Sequence, residues 1–164
     1  MAVRQITEER VSLISTKPFA EVLSGVERQI GHPEIRKLLS DVSAAKTEEE
    51  CEKIVGANVG PTNLMEFVRF DQGEVLRKET GPTGPQMVRL LVGNPVTMKK
   101  MARHTHDAGS YAPVTILIDE RPDGVYLSYD RMASFLAPYA EPAAMAVARE
   151  LDATVESLLL RAAE

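Results

Sequence analysis

Two apolar strands and the helix start between them constrain this fold more than any other feature. The run Gln86–Val92 predicts a β-strand, and Gly93-Asn94-Pro95 turns it into a helix. Asn is a favoured N-cap residue, and proline suits the first helical position. The runs Val114–Glu120 and Val125–Tyr129 flank an Arg-Pro-Asp-Gly sequence with the proline and glycine of a type I turn. This order predicts a strand, a helix and a β-hairpin, and therefore an α+β protein.

The segments before this region complete the predicted sheet. Val11–Thr16 and Leu64–Phe70 are short, apolar and partly β-branched, which is typical of strands. The expected architecture is therefore an antiparallel-rich sheet of about five strands with helices packed on it. Between the two strands, apolar residues at helical spacing predict a first helix over Pro18–Ile30. We expect a turn at Asp71–Gly73, whereas Glu74–Thr80 fits either a strand or a helical turn.

Two further helical regions are expected within one domain spanning residues 1–164. A helical insertion over about residues 32–58 contains the capping box of Thr47 and Glu50, and we expect Cys51 to be a buried structural thiol there. We expect the helix that follows Pro95 to continue to about His106. A long C-terminal helix over about residues 142–163 is indicated by apolar residues that repeat by three and four. These residues are Met145, Ala148, Leu151, Val155, Leu158 and Ala162.

The composition excludes several classes of protein. The 164 residues carry 19 Lys and Arg against 24 Asp and Glu, a net charge of −5, so there is no basic footprint for nucleic acid. Leu, Ile, Val and Phe form about a quarter of the chain, enough for a core. No run is apolar enough for a membrane span, and we expect no signal peptide. A single cysteine suits a reducing compartment, so we expect a soluble cytoplasmic protein.

The region from Leu90 to Tyr129 resembles the family of domain of unknown function 302. The similar features are Gly93-Asn94-Pro95 after a strand, the apolar strand that follows, and Ser128-Tyr129-Asp130 at the end of the hairpin. The resemblance implies a small α+β fold, commonly a dimer, and no assigned activity. Members often carry an Asp-His pair after the middle strand, where this sequence has Asp71-Gln72, so no imidazole role carries over.

The strand-to-helix corner is the leading candidate site. Free amide groups and the positive end of the helix dipole favour anions at such places, and Gly93 has no side chain to block a ligand. We expect Gly93, Asn94 and Thr97 to bind a small molecule, for which an anion is a candidate, with Tyr111 and Tyr129 as walls of its pocket. The alternative is that Asn94 and Pro95 serve only as a good helix start.

A second hypothesis is a histidine-dependent or metal-dependent enzyme that uses His104 or His106. Residues two apart on a helix point about 200° away from each other, so one metal ion could not easily take both. The sequence therefore predicts no metal site, and the cofactor stays unknown. Asp119 and Glu120 near Asp123 could act as paired carboxylates, but a solvated hairpin turn is the expected setting.

The third hypothesis is a structural or adaptor homodimer without pocket chemistry. Leu158, Leu159 and Leu160 are consecutive on the C-terminal helix and together cover about 200° of its surface. A helix on one sheet buries a stripe only about 100° wide, so Leu159 or Leu160 must point away from the core stripe. We therefore expect a homodimer with this helix in the interface. The alternative is that the extra leucine covers the inserted helices of the same chain.

Overall fold

The computed structural model describes residues 3–164, which form a five-stranded sheet and seven α-helices. The strands are β1 (Arg10–Ser15), β2 (Met65–Asp71), β3 (Met87–Gly93), β4 (Val114–Arg121) and β5 (Gly124–Asp130). The helices are α1 (Phe19–Glu27), α2 (Ile35–Ala44), α3 (Glu48–Gly56), α4 (Gln72–Thr80), α5 (Pro95–Ala102), α6 (Met132–Leu136) and α7 (Pro142–Ala163). The α+β class, the five strands and the long C-terminal helix are as the sequence predicts.

The sheet has the order β1-β5-β4-β3-β2, and every neighbouring pair is antiparallel. Side chains alternate between its two faces along each strand. One face is covered by α1, α5, α6 and α7 and holds most of the core. On β5 this covered face takes Val125, Leu127 and Tyr129, while Tyr126 and Asp130 lie on the opposite, open face.

The inserted helices α2 and α3 form a smaller second core. Thr47 caps α3 by accepting a 3.1 Å hydrogen bond from the amide of Glu50, as the predicted capping box requires. Leu38 and Val55 are buried there with Met65 at the start of β2. Cys51 is half-buried against this cluster rather than fully enclosed. The insertion therefore packs beside the end of β3 where the strand-to-helix corner lies.

Three predictions about local structure are wrong. Asp71–Gly73 does not form an isolated turn, because the Asp71 carboxylate caps α4 by accepting from the amide of Glu74 at 2.8 Å. Helix α5 ends at Ala102, and a separate 3₁₀ turn follows at His106–Ser110. Asp119 is buried rather than solvated, since its carboxylate receives the Arg121 guanidinium at 2.6 Å.

Helix α7 packs on the covered face against β1 and β5 and has buried residues from Ala144 to Ala162. Its core stripe includes Leu158, and Leu159 is buried as well, whereas Leu160 is 48% exposed. The expectation that one of these two further leucines points outward is therefore confirmed for Leu160. In the part of the chain that the structure describes, α7 and the other helices lack the combination of length and apolar character needed to cross a bilayer.

Candidate functional site

The corner between β3 and α5 is held together by the side chain of Asn94. Its Oδ1 accepts from the amide of Val96 at 2.8 Å and from that of Thr97 at 3.4 Å. Its Nδ2 donates to the backbone oxygen and the Oδ1 of Asn63, at 3.0 and 3.1 Å. Asn94 is also buried. The side chain thus joins the helix start to the loop before β2 and has no polar atom left over.

These bonds change the chemistry expected at the corner. Pro95 has no amide proton, and the amides of Val96 and Thr97 already donate to Asn94. The amide of Met98 donates to the backbone oxygen of Asn94 at 3.0 Å. The first-turn donors that would hold an anion therefore have partners within the chain.

Gly93 makes room for a neighbouring loop rather than for a polar ligand group. A Cβ atom at this position would lie 3.3 Å from the Cβ of Pro113 and 3.5 Å from Cε2 of Phe67. The first distance is tighter than ordinary van der Waals contact, so a larger residue would push Pro113 aside. The absence of a side chain lets the segment before β4 approach the corner.

A cavity of about 230 Å³ lies beside this corner. Asn94 is the one polar residue in its lining, and its hydrogen-bonding groups are already used. The other lining residues are Leu39, Phe67, Pro95, Met98, Ala112 and Pro113. Leu39 is 58% exposed and lies at the mouth of the cavity. The lining combines α2, β2, α5 and the loop before β4, so the fold rather than one motif creates the cavity.

Of the five predicted site residues, Asn94 lines this cavity, whereas Gly93, Thr97, Tyr111 and Tyr129 do not. The amide of Thr97 helps to form the helix start, but its side chain is not part of the lining. Tyr129 lies on the covered face of β5, where its hydroxyl donates to Oδ1 of Asp152 at 2.6 Å. Burial, followed by the charge of Asp152, raises the pKa of Tyr129 well above its ordinary value. The Tyr129 hydroxyl therefore forms a hydrogen bond within the core rather than in the corner cavity.

Tyr111 belongs to an adjoining aromatic group. Its ring stacks on Phe135 with centroids 5.0 Å apart, and its hydroxyl lies 2.8 Å from that of Tyr139. The Tyr111 hydrogen bond is the main cause that raises the pKa of Tyr139 to about 12. Tyr111 lines a groove of about 350 Å³ on the open face of the sheet. Ala112 and Pro113 border both this groove and the corner cavity, so the two spaces adjoin.

Asp152 is a residue that the sequence reasoning missed. Its Oδ1 accepts from Tyr129 and, at 2.7 Å, from the amide of Met132, while its Oδ2 accepts from Ala133 at 3.1 Å. A carboxylate on α7 thereby caps α6. A signal was present, because Asp152 falls among the apolar positions 148, 151, 155 and 158 of the helix. A charged residue at such a position indicates a buried polar partner.

A wider cleft of about 460 Å³ lies beside Asp152, and most of its charged side chains pair within the chain. Arg131 contacts Glu9 at 3.0 Å and Glu156 at 2.7 Å, and these carboxylates are what raises the pKa of Arg131. The carboxylate of Asp152 is likewise occupied by three donors. The carboxylates of this cleft and Arg131 therefore already have partners, and Arg149 is the one charged lining residue with neither an ion pair nor a side-chain hydrogen bond among residues 3–164.

The histidines do not assemble a metal site among residues 3–164. His104 and His106 are both exposed, the first after α5 and the second in the 3₁₀ turn. His32 lies 3.4 Å from a carboxylate oxygen of Glu66. In this described part of the chain, no three His, Cys, Asp or Glu side chains are placed to share an ion.

A five-stranded antiparallel sheet with one helix-covered face and an apolar corner at the end of β3 defines a small α+β domain. The chain belongs to the family of domain of unknown function 302 (DUF302), whose model matches residues 39–160. That match begins within α2 and includes the corner, the hairpin and most of α7.

The same fold is found in a solved relative. The crystal structure of an uncharacterized conserved DUF302 protein from Bacillus stearothermophilus superposes with a TM-score of 0.63. The match covers 93% of this chain and 97% of that one, at 13% sequence identity. At this identity the likeness shows the fold alone. Among curated proteins, none matches the sequence.

Proposed function

We propose that this protein binds a small, largely apolar molecule in the cavity beside the Gly93-Asn94-Pro95 corner. One observation supports this most strongly. The cavity has an apolar wall contributed by four separate parts of the chain, and its single polar residue has no free hydrogen-bonding group. Ligand sites are typically concave, mostly apolar and formed where several elements meet.

The size of the cavity limits the part of a ligand that it can enclose. An apolar protein cavity of roughly 150 Å³ is enough for benzene. At about 230 Å³, this cavity has room for one substituted ring or a short branched alkyl group. Phe67 offers an aromatic surface and Met98 a flexible thioether, which together suit such a group.

An uncharged group fits this cavity better than the anion expected from the sequence. The positive end of the α5 dipole is present, but its amides donate to Asn94 rather than outward. A charge placed against Phe67, Met98 and Pro113 would lose its hydration without gaining a partner. The apolar lining therefore favours the hydrocarbon part of a ligand at this position.

Titration with 1-octanol, followed by NMR of the ¹⁵N-labelled protein, tests the proposal. We expect saturable shifts at the amides around Met98 and Ala112, and Leu39→Asp should weaken binding by at least about tenfold because it places a charge at the mouth. Val75→Asp is the matched control, since Val75 is 72% exposed on α4 and outside the lining. No saturable shifts, or equal affinity in both variants, would contradict the proposal.

We further propose a homodimer to which α7 contributes. Leu160 is 48% exposed, and Ala143, Ala146 and Ala153 lie exposed on the same helix. Small exposed residues along a helix allow another helix to approach closely. The lone Cys51 supports placement in the reducing cytoplasm, since the chain cannot form a disulfide within itself.

A further inference from the structure

The open face of the sheet carries an arginine near its centre. Arg89 on β3 faces Phe70 on β2 and Leu117 on β4, so apolar side chains flank it on both neighbouring strands. Phe70 is 46% exposed, which leaves this face accessible within the chain. Helix α4 contacts β3 but leaves the middle of the face open.

Arg89 is unlike the other arginines of this face because it pairs with no carboxylate among residues 3–164. Arg10 donates two hydrogen bonds of 2.7 Å to the carboxylate of Asp130, and Arg121 forms an ion pair with Asp119. Arg89 instead donates to the hydroxyl of Thr115 at 3.3 Å, a long bond to a neutral group. A guanidinium has five N–H donors, so most of those on Arg89 are available.

The surroundings of Arg89 are positive although the whole chain is negative. A groove of about 290 Å³ on this face is lined by two guanidiniums, those of Arg10 and Arg89, and by one carboxylate, that of Asp130. The Asp130 carboxylate is already neutralised by Arg10. Ser128, Thr115 and Gln72 add neutral polar groups to the lining. The groove therefore offers one unneutralised positive charge beside hydroxyl and amide groups.

The groove leads toward the corner cavity. Arg89 and Thr115 also line the space that contains Tyr111, and that space shares Ala112 and Pro113 with the corner cavity. Arg89, Leu91 and Gly93 alternate along the open side of β3. Four strand residues cover about 13 Å, and the arginine side chain spans part of that distance. One extended molecule can therefore reach from Arg89 to the cavity.

We propose that the ligand is an amphipathic carboxylate whose apolar part fills the corner cavity and whose carboxylate pairs with Arg89. This inference rests on the proposed function and adds the class of ligand to it. The planar guanidinium matches the two oxygens of a carboxylate, and the flanking Phe70 and Leu117 reduce the access of water to that pair. Leu91 and Pro113 line the path between the two ends.

A pair of probes with the same chain tests the inference. Octanoate and 1-octanol have equal length and differ in the charge of the head group, and calorimetric titration at neutral pH compares their affinities. We expect octanoate to bind at least about tenfold more tightly, because a hydrogen bond between charged groups outweighs one to a neutral hydroxyl. Arg89→Met should remove this preference and leave the affinity for octanol within about twofold.

Two other variants complete the design. Arg89→Lys keeps the charge but loses the planar fork, so we expect it to retain only part of the preference. Arg28→Met is the matched control, because Arg28 is exposed directly after α1, and α1 packs on the covered face. Arg28→Met should show the same preference for octanoate over 1-octanol as the native protein.

The outcomes separate this inference from the proposed function. Equal affinity for both probes, with both weakened by Leu39→Asp, would overturn the role of Arg89 and leave the apolar cavity in place. Binding of neither probe would overturn both proposals. A native dimer that Arg89→Met converts into monomers, with no binding of octanoate, would overturn the inference by showing that a second copy covers this face.

Discussion

The hydroxyl of Tyr129 donates a 2.6 Å hydrogen bond to Oδ1 of Asp152, and this bond joins β5 to α7 within the core. The same carboxylate accepts from the amides of Met132 and Ala133 at the start of α6. One buried side chain therefore fixes three elements relative to each other. The tyrosine of the family-like Ser128-Tyr129-Asp130 sequence acts here as a structural anchor for α7.

We expect Asp152→Ala to lower the free energy of unfolding by about 3 kcal/mol. The change leaves one hydroxyl and two amides without their acceptor, and a buried unsatisfied donor costs about 1–3 kcal/mol. Urea unfolding followed by circular dichroism measures the change. Thr154→Ala, a substitution on the solvent side of α7, is the control and should cost less than about 1 kcal/mol. A loss from Asp152→Ala no larger than that of the control would contradict the anchoring role.

Stability should fall as the pH rises above about 10. The pKa of Tyr129 is raised in the folded protein, chiefly by burial, so the folded state keeps a proton that the unfolded state releases. The stability that Tyr129 contributes to the folded state is therefore fully present below its unfolded pKa. This stability is lost as the pH rises toward the pKa of Tyr129 in the folded protein. Each pH unit in this window lowers the free energy of unfolding by up to about 1.4 kcal/mol.

Urea unfolding of native protein and Tyr129→Phe between pH 8 and about 11.5 checks this prediction. Tyr129→Phe should be less stable than the native protein at pH 8. The difference between their free energies of unfolding should shrink through the alkaline range. Tyr126→Phe serves as the control for a tyrosine on the open face of the same strand. A constant difference between native protein and Tyr129→Phe would count against the linkage.

Gly93→Ala should destabilise the corner by about 1 kcal/mol. The new Cβ would lie 3.3 Å from the Cβ of Pro113, and overpacking of this kind carries a cost of roughly that order. Gly109→Ala is the matched control, since a Cβ there meets no atom within 4 Å. Thermal unfolding compares the two. Equal melting temperatures of Gly93→Ala and Gly109→Ala would contradict the prediction, because they would show that Pro113 moves aside without loss of stability.

Light scattering at tens of micromolar protein tests the homodimer. We expect about twice the 18.0 kDa chain mass for the native protein and for Val75→Glu. Leu160→Glu should shift the protein toward the monomer, because it places a charge in the proposed α7 interface. A native protein at the monomer mass would refute the dimer.

The sequence predicts those elements whose signals are local. Gly93-Asn94-Pro95 contains both a cap and a proline at the helix start, and the hydrogen bonds of Asn94 confirm that interpretation. The spacing in α7 reveals its core stripe over many turns. Helix α4 was ambiguous because it exposes Val75 and Leu76 and has no clear apolar stripe, while Asp71 can begin a turn or a helix.

The features that depend on distant contacts were beyond local patterns. The corner cavity requires Leu39 and Phe67, which lie far from Pro95 in sequence and belong to different elements. Tyr129 shares the covered face with Leu127, and the two-residue period of β5 contains that information. Its partner Asp152 follows only from the packing of α7.

A crystal structure of the protein soaked with iodobenzene tests the apolar cavity most directly. Iodine scatters anomalously, so its position is located independently of the surrounding protein. We predict one anomalous peak between Phe67, Met98 and Pro113, and its loss in crystals of Leu39→Asp. A peak found only elsewhere, or none at a concentration that saturates the soak, would contradict the claim that this corner binds apolar molecules.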